Sequence, residues 1–269
     1  MIPQSKSPAA TNLADTTPAR LATLRKRLWD RPANSVVTLG DSGLRVRITD
    51  GPNAYMQYKD VFVRGIYRYR TDNPTPTIID GGGNMGISVL GFKRDHPNAN
   101  VTVFEPDLAI GQLLRENLTR NNASDGVTIV PAGLAAEPGR VSFHTDASAG
   151  GQITAEGANA SIDVVRLSDH VTSDVDFLKL NIEGQELPVL REMESAGKLV
   201  HVRRLVVEYH GWAGGEQCLG DLLNLLARNK FRYLVHDFDA ETGPITKPPF
   251  RHRPKADWFC LVYGEQVAA

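Results

Sequence analysis

The sequence predicts an α/β protein with a Rossmann-like, doubly wound and mostly parallel sheet, and three observations support this. From residue 77 onward, short apolar segments alternate with segments of helical periodicity. The first apolar segment runs into the glycine-rich loop Asp80-Gly81-Gly82-Gly83-Asn84-Met85-Gly86. The last two apolar segments have no helical segment between them, so they are expected to form an antiparallel hairpin at the C-terminal end.

The predicted elements after residue 77 follow in order. Strands are expected at 77–80, 101–106, 127–130, 176–181, 203–210, 231–238 and 257–264. Helices are expected at 85–95, 108–122, 186–196 and 217–229. The stretch between 131 and 175 is irregular, with two edge strands at 140–144 and 161–166 joined by a loop of small residues at 146–160. A Pro-rich loop, 243–254, joins the last two strands and overlaps the basic run 251–255.

An N-terminal extension precedes this domain, which we expect to span 77–269. Residues 1–16 are rich in Ser, Thr, Pro and Ala and are interpreted as a flexible tail. Residues 17–76 are expected to hold a helix at 17–30, a hairpin at 36–48 and an aromatic helix at 53–70. The aromatic stripe has two interpretations, a packed helix face or a cap over a ligand. The extension is also a candidate dimerisation element, so a homodimer is an open prediction.

Composition narrows the classes of function. The 269 residues carry a net charge of −1, which argues against a nucleic-acid partner because such proteins usually present a basic face. Cys218 and Cys260 are far apart and in apolar surroundings, so two reduced thiols are expected. The sequence has no apolar run of about 18 residues and no apolar core of a signal peptide near its start. We therefore expect a cytoplasmic protein without a membrane partner.

The glycine loop fits two cofactors. Gly81-x-Gly83-x-x-Gly86 follows a strand, and Glu105 ends the next strand, which matches a dinucleotide site. Asp80 argues against NAD because it would repel the pyrophosphate, whereas S-adenosylmethionine carries an ammonium and a sulfonium. An NAD-dependent sugar oxidoreductase and a turn without a ligand remain as alternatives. The predicted S-adenosylmethionine site consists of Asp80, Gly81, Gly82, Gly83, Asn84, Gly86, Glu105, Pro106, Ala132, Gly133, Leu134 and Asn181.

Several blocks together resemble the FkbM family of S-adenosylmethionine-dependent O-methyltransferases. They are IIDGGGNMGISVL, VTVFEP, RENLTRNN, VPAGLA, DFLKLNIEGQELPVL and LVVEYH, and the resemblance covers about residues 77–240. It implies a class I methyltransferase fold and methyl transfer to a hydroxyl of a sugar or a polyketide-like small molecule. The chain is also similar to actinobacterial sugar O-methyltransferases. Family members usually have Asp-x-Glu-Gly-x-Glu where this chain has Asn181 in place of the first Asp.

The catalytic candidates lie where ligands bind in open parallel sheets, beyond the carboxyl ends of the strands. Asn181, Glu183, Glu208 and His210 follow or end the fourth and fifth predicted strands, and His144 ends the edge strand at 140–144. A hydroxyl acceptor needs a general base, for which His144 and His210 are candidates, or a metal ion. Each histidine has an alternative interpretation as a surface or packed residue.

A magnesium ion held by Asn181, Glu208 and one histidine is a further hypothesis. A nucleic-acid methyltransferase is a weaker alternative, because the Asn/Asp-Pro-Pro-Tyr/Phe sequence that holds a flipped base is replaced by Asn181-Ile182-Glu183-Gly184. The leading prediction is therefore a methyltransferase acting on a small-molecule hydroxyl, with a carbohydrate as the expected acceptor.

Overall fold

The computed structural model describes six stretches of the chain, namely 17–40, 43–145, 151–154, 157–212, 215–237 and 258–267. The predicted tail at 1–16, the loop 243–254 and the basic run 251–255 lie outside these residues, as does part of the loop 146–160.

Helices form near the predicted positions. The α-helices are α1 (Pro18–Leu28), α2 (Gly51–Tyr58), α3 (Ile87–Asp95), α4 (Leu108–Arg120), α5 (Glu186–Ser195) and α6 (Leu219–Arg228). Side-chain caps begin several of them: the Asp107 Oδ1 accepts hydrogen bonds from the backbone N–H groups of Ala109 and Ile110 at the start of α4. Helix α3 begins two residues later than predicted, because Gly86 still has left-handed backbone angles and belongs to the loop.

Thirteen strands lie in the described residues. They are β1 (Val36–Leu39), β2 (Leu44–Arg47), β3 (Thr77–Gly81), β4 (Asn100–Phe104), β5 (Val127–Val130), β6 (Gly133–Leu134), β7 (Gly139–His144), β8 (Gln152–Ile153), β9 (Ala160–Val165), β10 (Phe177–Leu180), β11 (Arg204–Gly211), β12 (Phe231–Asp237) and β13 (Trp258–Gln266). Strands β1 and β2 form the predicted hairpin.

The main sheet has seven strands in the order β12-β13-β11-β10-β3-β4-β5. Strands β11, β10, β3, β4 and β5 run parallel, and β13 pairs antiparallel with both β11 and β12. The predicted doubly wound sheet with an antiparallel C-terminal hairpin is therefore confirmed. All four residues of β10 are buried, because β10 lies between two strands and both of its faces are covered.

Two hydrophobic cores cover the two faces of this sheet. Ile78 packs into the first core, with α3, α4 and the N-terminal extension, whereas Ile79 packs into the second, with α5 and α6. This follows from the pleat of β3, whose successive side chains point to opposite faces. Helix α3, which follows β3, and helix α5, which follows the neighbouring strand β10, thus lie on opposite faces, which opens a crevice between β3 and β10 at the carboxyl edge.

The N-terminal extension shares the first core with α3 and α4, and two asparagines of α4 also bind its backbone. The Asn117 amide bonds both the N–H and the C=O of Arg47, at 2.6 and 2.8 Å. One turn later, the Asn121 amide bonds the N–H and the C=O of Arg45, at 3.1 and 2.9 Å. Strand β2 therefore has part of its backbone paired with helix side chains.

Two predictions about elements were wrong. The aromatic helix does not continue to residue 70: α2 passes into a π-helix (Lys59–Arg64), and Gly65, with φ of 68°, ends it. The strands expected at the edge, now β7 and β9, join β6 and β8 in a separate four-stranded sheet in the order β6-β9-β7-β8. In the part of the chain that the structure describes, no helix combines the length and apolar character needed to cross a membrane.

Candidate active site

A cavity of about 280 Å³ lies at the crevice between β3 and β10. Its walls come from the loops after β3, β4 and β10, from the end of β11, from α2 and the π-helix, and from the small sheet. Its volume is close to the lower end of the range for small-molecule sites. In the extension, Tyr55 and Tyr58 of the aromatic stripe pack into the core, whereas the neighbouring Asn53 and Gln57 line the cavity.

The glycine loop brings backbone close to backbone. A Cβ on Gly82 would lie 2.0 Å from the Asn181 carbonyl oxygen, and the φ of Gly82 is 85°. Only glycine fits this contact. Asn84 also has a positive φ, 45°, and its Oδ1 accepts hydrogen bonds from Asn53 Nδ2 at 3.3 Å and Gln57 Nε2 at 2.9 Å. The loop conformation is thus held by the N-terminal extension.

Glu105 is buried beside this loop and lines the cavity. One carboxylate oxygen accepts the Asn84 N–H at 2.8 Å, and the other accepts the Asp107 N–H at 2.9 Å. Burial raises the pKa of Glu105 to about 7, although these two backbone hydrogen bonds oppose the change. Each oxygen keeps a lone pair for a ligand, so the geometry suits an acceptor of hydroxyl hydrogen bonds.

Asp80 requires a correction. Its side chain is fully buried, with the Lys179 Nζ 2.8 Å from Oδ1 and the Ser88 hydroxyl donating to Oδ2 at 2.5 Å. Lys179 Nζ also donates to the carbonyl oxygens of Gly81 and Gly82. The Asp80 charge is therefore balanced inside the protein, and Asp80 does not line the cavity. The predicted repulsion between Asp80 and the pyrophosphate of NAD is thus weakened by the charge of Lys179.

Asn181 follows β10 and lines the cavity. Its backbone N–H donates to the Gly81 carbonyl at 3.1 Å, which fixes it beside the glycine loop. Its Oδ1 is buried and has no hydrogen-bond partner among the described residues. A buried polar atom of this kind is costly unless a ligand pairs with it. Asn181 thus offers an acceptor for a donor group of a bound molecule.

His210, at the end of β11, lies among three carboxylates. Its Nε2 is 3.5 Å from Glu183 Oε2 and 3.9 Å from Glu208 Oε1, and its Nδ1 is 3.7 Å from Glu186 Oε1. Burial by itself would lower the pKa of His210, but these carboxylates outweigh it and raise the pKa to about 9. The ring stacks on Trp212, with centroids 5.1 Å apart. The three carboxylates favour the protonated imidazole, which cannot accept a proton, and this argues against His210 as the base.

Two carboxylates reach the cavity near His210, those of Glu183 and Glu208. Burial raises the pKa of Glu183 to about 7, although the charge of His210 opposes the change. Burial also raises the pKa of Glu208, again against the effect of His210. Glu183 can therefore gain or lose a proton near neutral pH more readily than an ordinary surface carboxylate.

His144 lies outside the cavity. Its ring is exposed, and Nδ1 donates to the Gly157 carbonyl oxygen at 2.9 Å. Its two neighbours along the chain point the other way: Phe143 and Thr145 line the cavity, and the Thr145 hydroxyl donates to Asp107 Oδ2 at 2.7 Å. The small sheet thus closes onto the start of α4, while the predicted base His144 faces away from the cavity.

The predicted site residues divide into two groups. Those that line the cavity are Gly82, Asn84, Glu105, Pro106, Gly133, Leu134, Asn181, Glu183 and Glu208. Those that do not line it are Asp80, Gly81, Gly83, Gly86, Ala132, His144 and His210. Glycine is still required at position 83 for packing, because a Cβ there would lie 2.3 Å from the Val103 side chain.

The cavity is also lined by residues that were not predicted as site residues, among them Asn53, Gln57, Asp107 and Lys179. Asn53 and Gln57 carry no sequence signal, because only the fold brings α2 to the loop. Asp107 was identifiable as a helix cap but not as a wall residue. Lys179 was identifiable, because a lysine in an apolar strand needs a buried partner.

Metal binding finds no support. Among the described residues, no group of three or more His, Cys, Asp or Glu side chains is placed to hold a metal ion. The described part of the chain therefore gives no support to the hypothesis of magnesium on Asn181 and Glu208.

Comparison with known proteins agrees with this geometry. The model of the methyltransferase FkbM domain matches residues 82–233. The chain is 26% identical over 242 residues to the 31-O-demethyl-FK506 methyltransferase FkbM of Streptomyces tacrolimicus, covering 76% of this chain and 90% of that protein. It is 28% identical over 189 residues to methyltransferase sdnD of Sordaria araneosa, covering 56% and 73% respectively.

Solved structures show the same fold. The FkbM methyltransferase of Methylobacillus flagellatus KT superposes with a TM-score of 0.51 at 21% identity over 77% of this chain, and the match spans 47% of that longer protein. The human methyltransferase 10 domain containing protein superposes with a TM-score of 0.52 at 13% identity, over 97% of this chain and 100% of that one. The fold is therefore that of the class I methyltransferases.

Proposed function

This chain belongs to the FkbM family of methyltransferases, and on that premise we propose that it transfers the methyl group of S-adenosylmethionine to a hydroxyl of a small neutral molecule, with a sugar or oligosaccharide as the acceptor class. The observation that carries the proposal is the cavity between β3 and β10, which combines the glycine loop and Glu105 with Asn181, Glu183 and Glu208.

The part of the cavity lined by Glu105, Pro106, Gly133 and Leu134 fits S-adenosylmethionine by its chemistry. Glu105 offers two carboxylate oxygens with free lone pairs to a ribose diol, and Pro106, Gly133 and Leu134 offer apolar and backbone surface beside it. The unpaired Asn181 Oδ1 suits the ammonium of the methionine part. When bound, S-adenosylmethionine supplies the methyl carbon on its sulfonium.

The wall of the cavity that carries Glu183 and Glu208, the acceptor wall, favours a molecule with hydroxyl groups. Glu183 and Glu208 can each accept hydrogen bonds from hydroxyls, and an anionic acceptor would be repelled by them. Lys179 is the one lysine among the described residues that line the cavity, and it is already paired with Asp80. The name of the Streptomyces relative places its own methyl transfer on an oxygen, which is consistent with a hydroxyl acceptor here.

Calorimetric titration with S-adenosylhomocysteine and with NAD tests the cofactor. We expect saturable binding of S-adenosylhomocysteine only, weakened at least tenfold in Glu105→Gln and unchanged in the control Glu137→Gln, whose side chain is exposed and does not line the cavity. Binding of NAD alone would contradict the proposal.

Radiolabelled methyl transfer from S-adenosylmethionine tests the acceptor. The panel consists of methyl α-D-glucopyranoside, methyl α-D-mannopyranoside, the corresponding uronate and a sugar phosphate. We expect product from at least one neutral glycoside and none from the two anions. Transfer to the anions only would remove the carbohydrate-hydroxyl proposal while leaving the cofactor assignment intact.

A further inference from the structure

The proposed reaction requires a group that takes the proton of the acceptor hydroxyl, and this inference rests on the proposed function. We propose that Glu183 is the general base of the methyl transfer, with His210 as its charged partner and Glu186 as the residue that holds it in position. The proposal depends on the backbone at Glu183, on the groups around its carboxylate and on the placement of the other candidates.

The backbone at Glu183 is strained. Its φ of 55° lies in the left-handed region, which a residue other than glycine rarely adopts. The buried Glu186 holds this turn from both sides, since Oε1 accepts the Ile182 N–H at 2.8 Å and Oε2 accepts the Gly184 N–H at 2.9 Å. The turn directs the Glu183 side chain into the cavity, and such strain is typical of functional positions.

Charged groups from three elements face the Glu183 carboxylate. His210 and Glu208 come from β11, Lys179 comes from β10, and Glu186 comes from the start of α5. His210 Nε2 lies 3.5 Å from Glu183 Oε2, which places the two groups as an ion pair. Its charge favours the ionised carboxylate, whereas burial favours the protonated form, and the balance leaves a pKa of about 7. A general base works best when its pKa lies near the working pH.

The other candidates are less well placed. Asn181 cannot accept a proton, because an amide is not a base in this pH range. His144 faces away from the cavity, and the carboxylates around His210 raise its pKa and so favour the protonated ring, which is not a base. Glu208 also reaches the cavity, but its side chain is less exposed than that of Glu183, 11% against 17%. Glu183 is therefore the more accessible carboxylate on the acceptor wall.

The step balances in atoms and electrons. The acceptor O–H proton passes to the Glu183 carboxylate, and an oxygen lone pair forms the bond to the methyl carbon. The carbon–sulfur bond breaks and its electron pair stays on sulfur, which gives S-adenosylhomocysteine and the methyl ether. Glu183 then releases its proton to solvent and is ready for the next cycle.

The pH dependence of kcat and kcat/KM for the acceptor in Glu183→Gln tests the role directly, with the neutral methyl glycosides as acceptors. S-adenosylmethionine is kept saturating at every pH, so that the titration of Glu105 does not contribute. Wild-type kcat/KM should rise with pH through about 7, since the base must be ionised. In Glu183→Gln, kcat should fall at least about 100-fold and the rise near pH 7 should vanish. Binding of S-adenosylhomocysteine should stay within threefold of wild type. A kcat within fivefold of wild type, or a rise near pH 7 that persists, overturns the proposal.

A second variant gives a readout that a purely structural role would not produce. In His210→Asn the favourable charge is lost, so the rise in kcat/KM should move to higher pH, with the wild-type rate approached at the plateau. A rise that stays in place or moves to lower pH contradicts the pairing. The control Glu137→Gln should match wild type throughout. Activity in wild type together with an unaffected Glu183→Gln removes only this inference, whereas no transfer by wild type to any neutral glycoside removes the proposed function on which it rests.

Discussion

Replacing Asn117 tests how the N-terminal extension is attached to the domain. The Asn117 side chain is fully buried, and it bonds the Arg47 N–H, the Arg47 C=O and the Met85 C=O at 2.6, 2.8 and 2.9 Å. Asn117→Ala leaves these three backbone groups without partners. At about 1 kcal/mol for each unsatisfied group, the loss is about 3 kcal/mol of unfolding free energy. For a domain of this size the midpoint of thermal unfolding should fall by roughly 6–12 °C.

Asn121→Ala is the matched control. Asn121 also makes three hydrogen bonds to backbone, to the Arg45 N–H, the Arg45 C=O and the Asn117 C=O, but at a partly exposed position where water can replace it. Its loss should be about 1 kcal/mol or less. Urea unfolding followed by circular dichroism measures both variants. Equal losses in the two variants, or a loss below about 1 kcal/mol in Asn117→Ala, would refute the argument from burial.

Three further predictions concern the cavity. Gly82→Ala should abolish calorimetric binding of S-adenosylhomocysteine, because its Cβ would lie 2.0 Å from the Asn181 carbonyl oxygen; binding within tenfold of wild type would contradict this. Lys179→Met should cost about 3–5 kcal/mol in urea unfolding, because Asp80 is left buried and unpaired, and the added Asp80→Asn change should recover part of it. The affinity for S-adenosylhomocysteine should rise with pH through about 7, because ionised Glu105 accepts ribose hydroxyls better than its protonated form; Glu105→Gln should remove this dependence.

The order of the strands and helices could be predicted from the sequence because burial leaves a local record. Strands such as β10 are covered on both faces and therefore read as short apolar runs, and caps such as Asp107 mark the start of a helix. The glycine loop and Glu105 were recognisable for a related reason, since backbone geometry requires particular residues at fixed spacing. These features depend on few residues that are close in sequence.

The missed features depend on contacts between distant segments. The partner of Asp80 is Lys179, which the sheet brings beside it only because β10 pairs with β3. The π-helix (Lys59–Arg64) is too short for its wider turn to change the apolar periodicity. Strands β6 and β8 have two residues each, so they leave no alternating pattern. The raised pKa of His210 likewise depends on Glu183 and Glu186, which follow β10 and are distant from His210 in the sequence.

The hydrogen bonds from Asn53 and Gln57 to the Asn84 side chain affect how this enzyme family could be recombined. A chimera that keeps residues 77–269 and takes its first segment from a relative would replace Asn53 and Gln57, the two amides that bind the glycine loop. Residue 76 is therefore a poor crossover point for shuffling. A donor segment would have to carry amide side chains at both positions, or the hybrid would keep the catalytic residues and still lose affinity for its methyl donor.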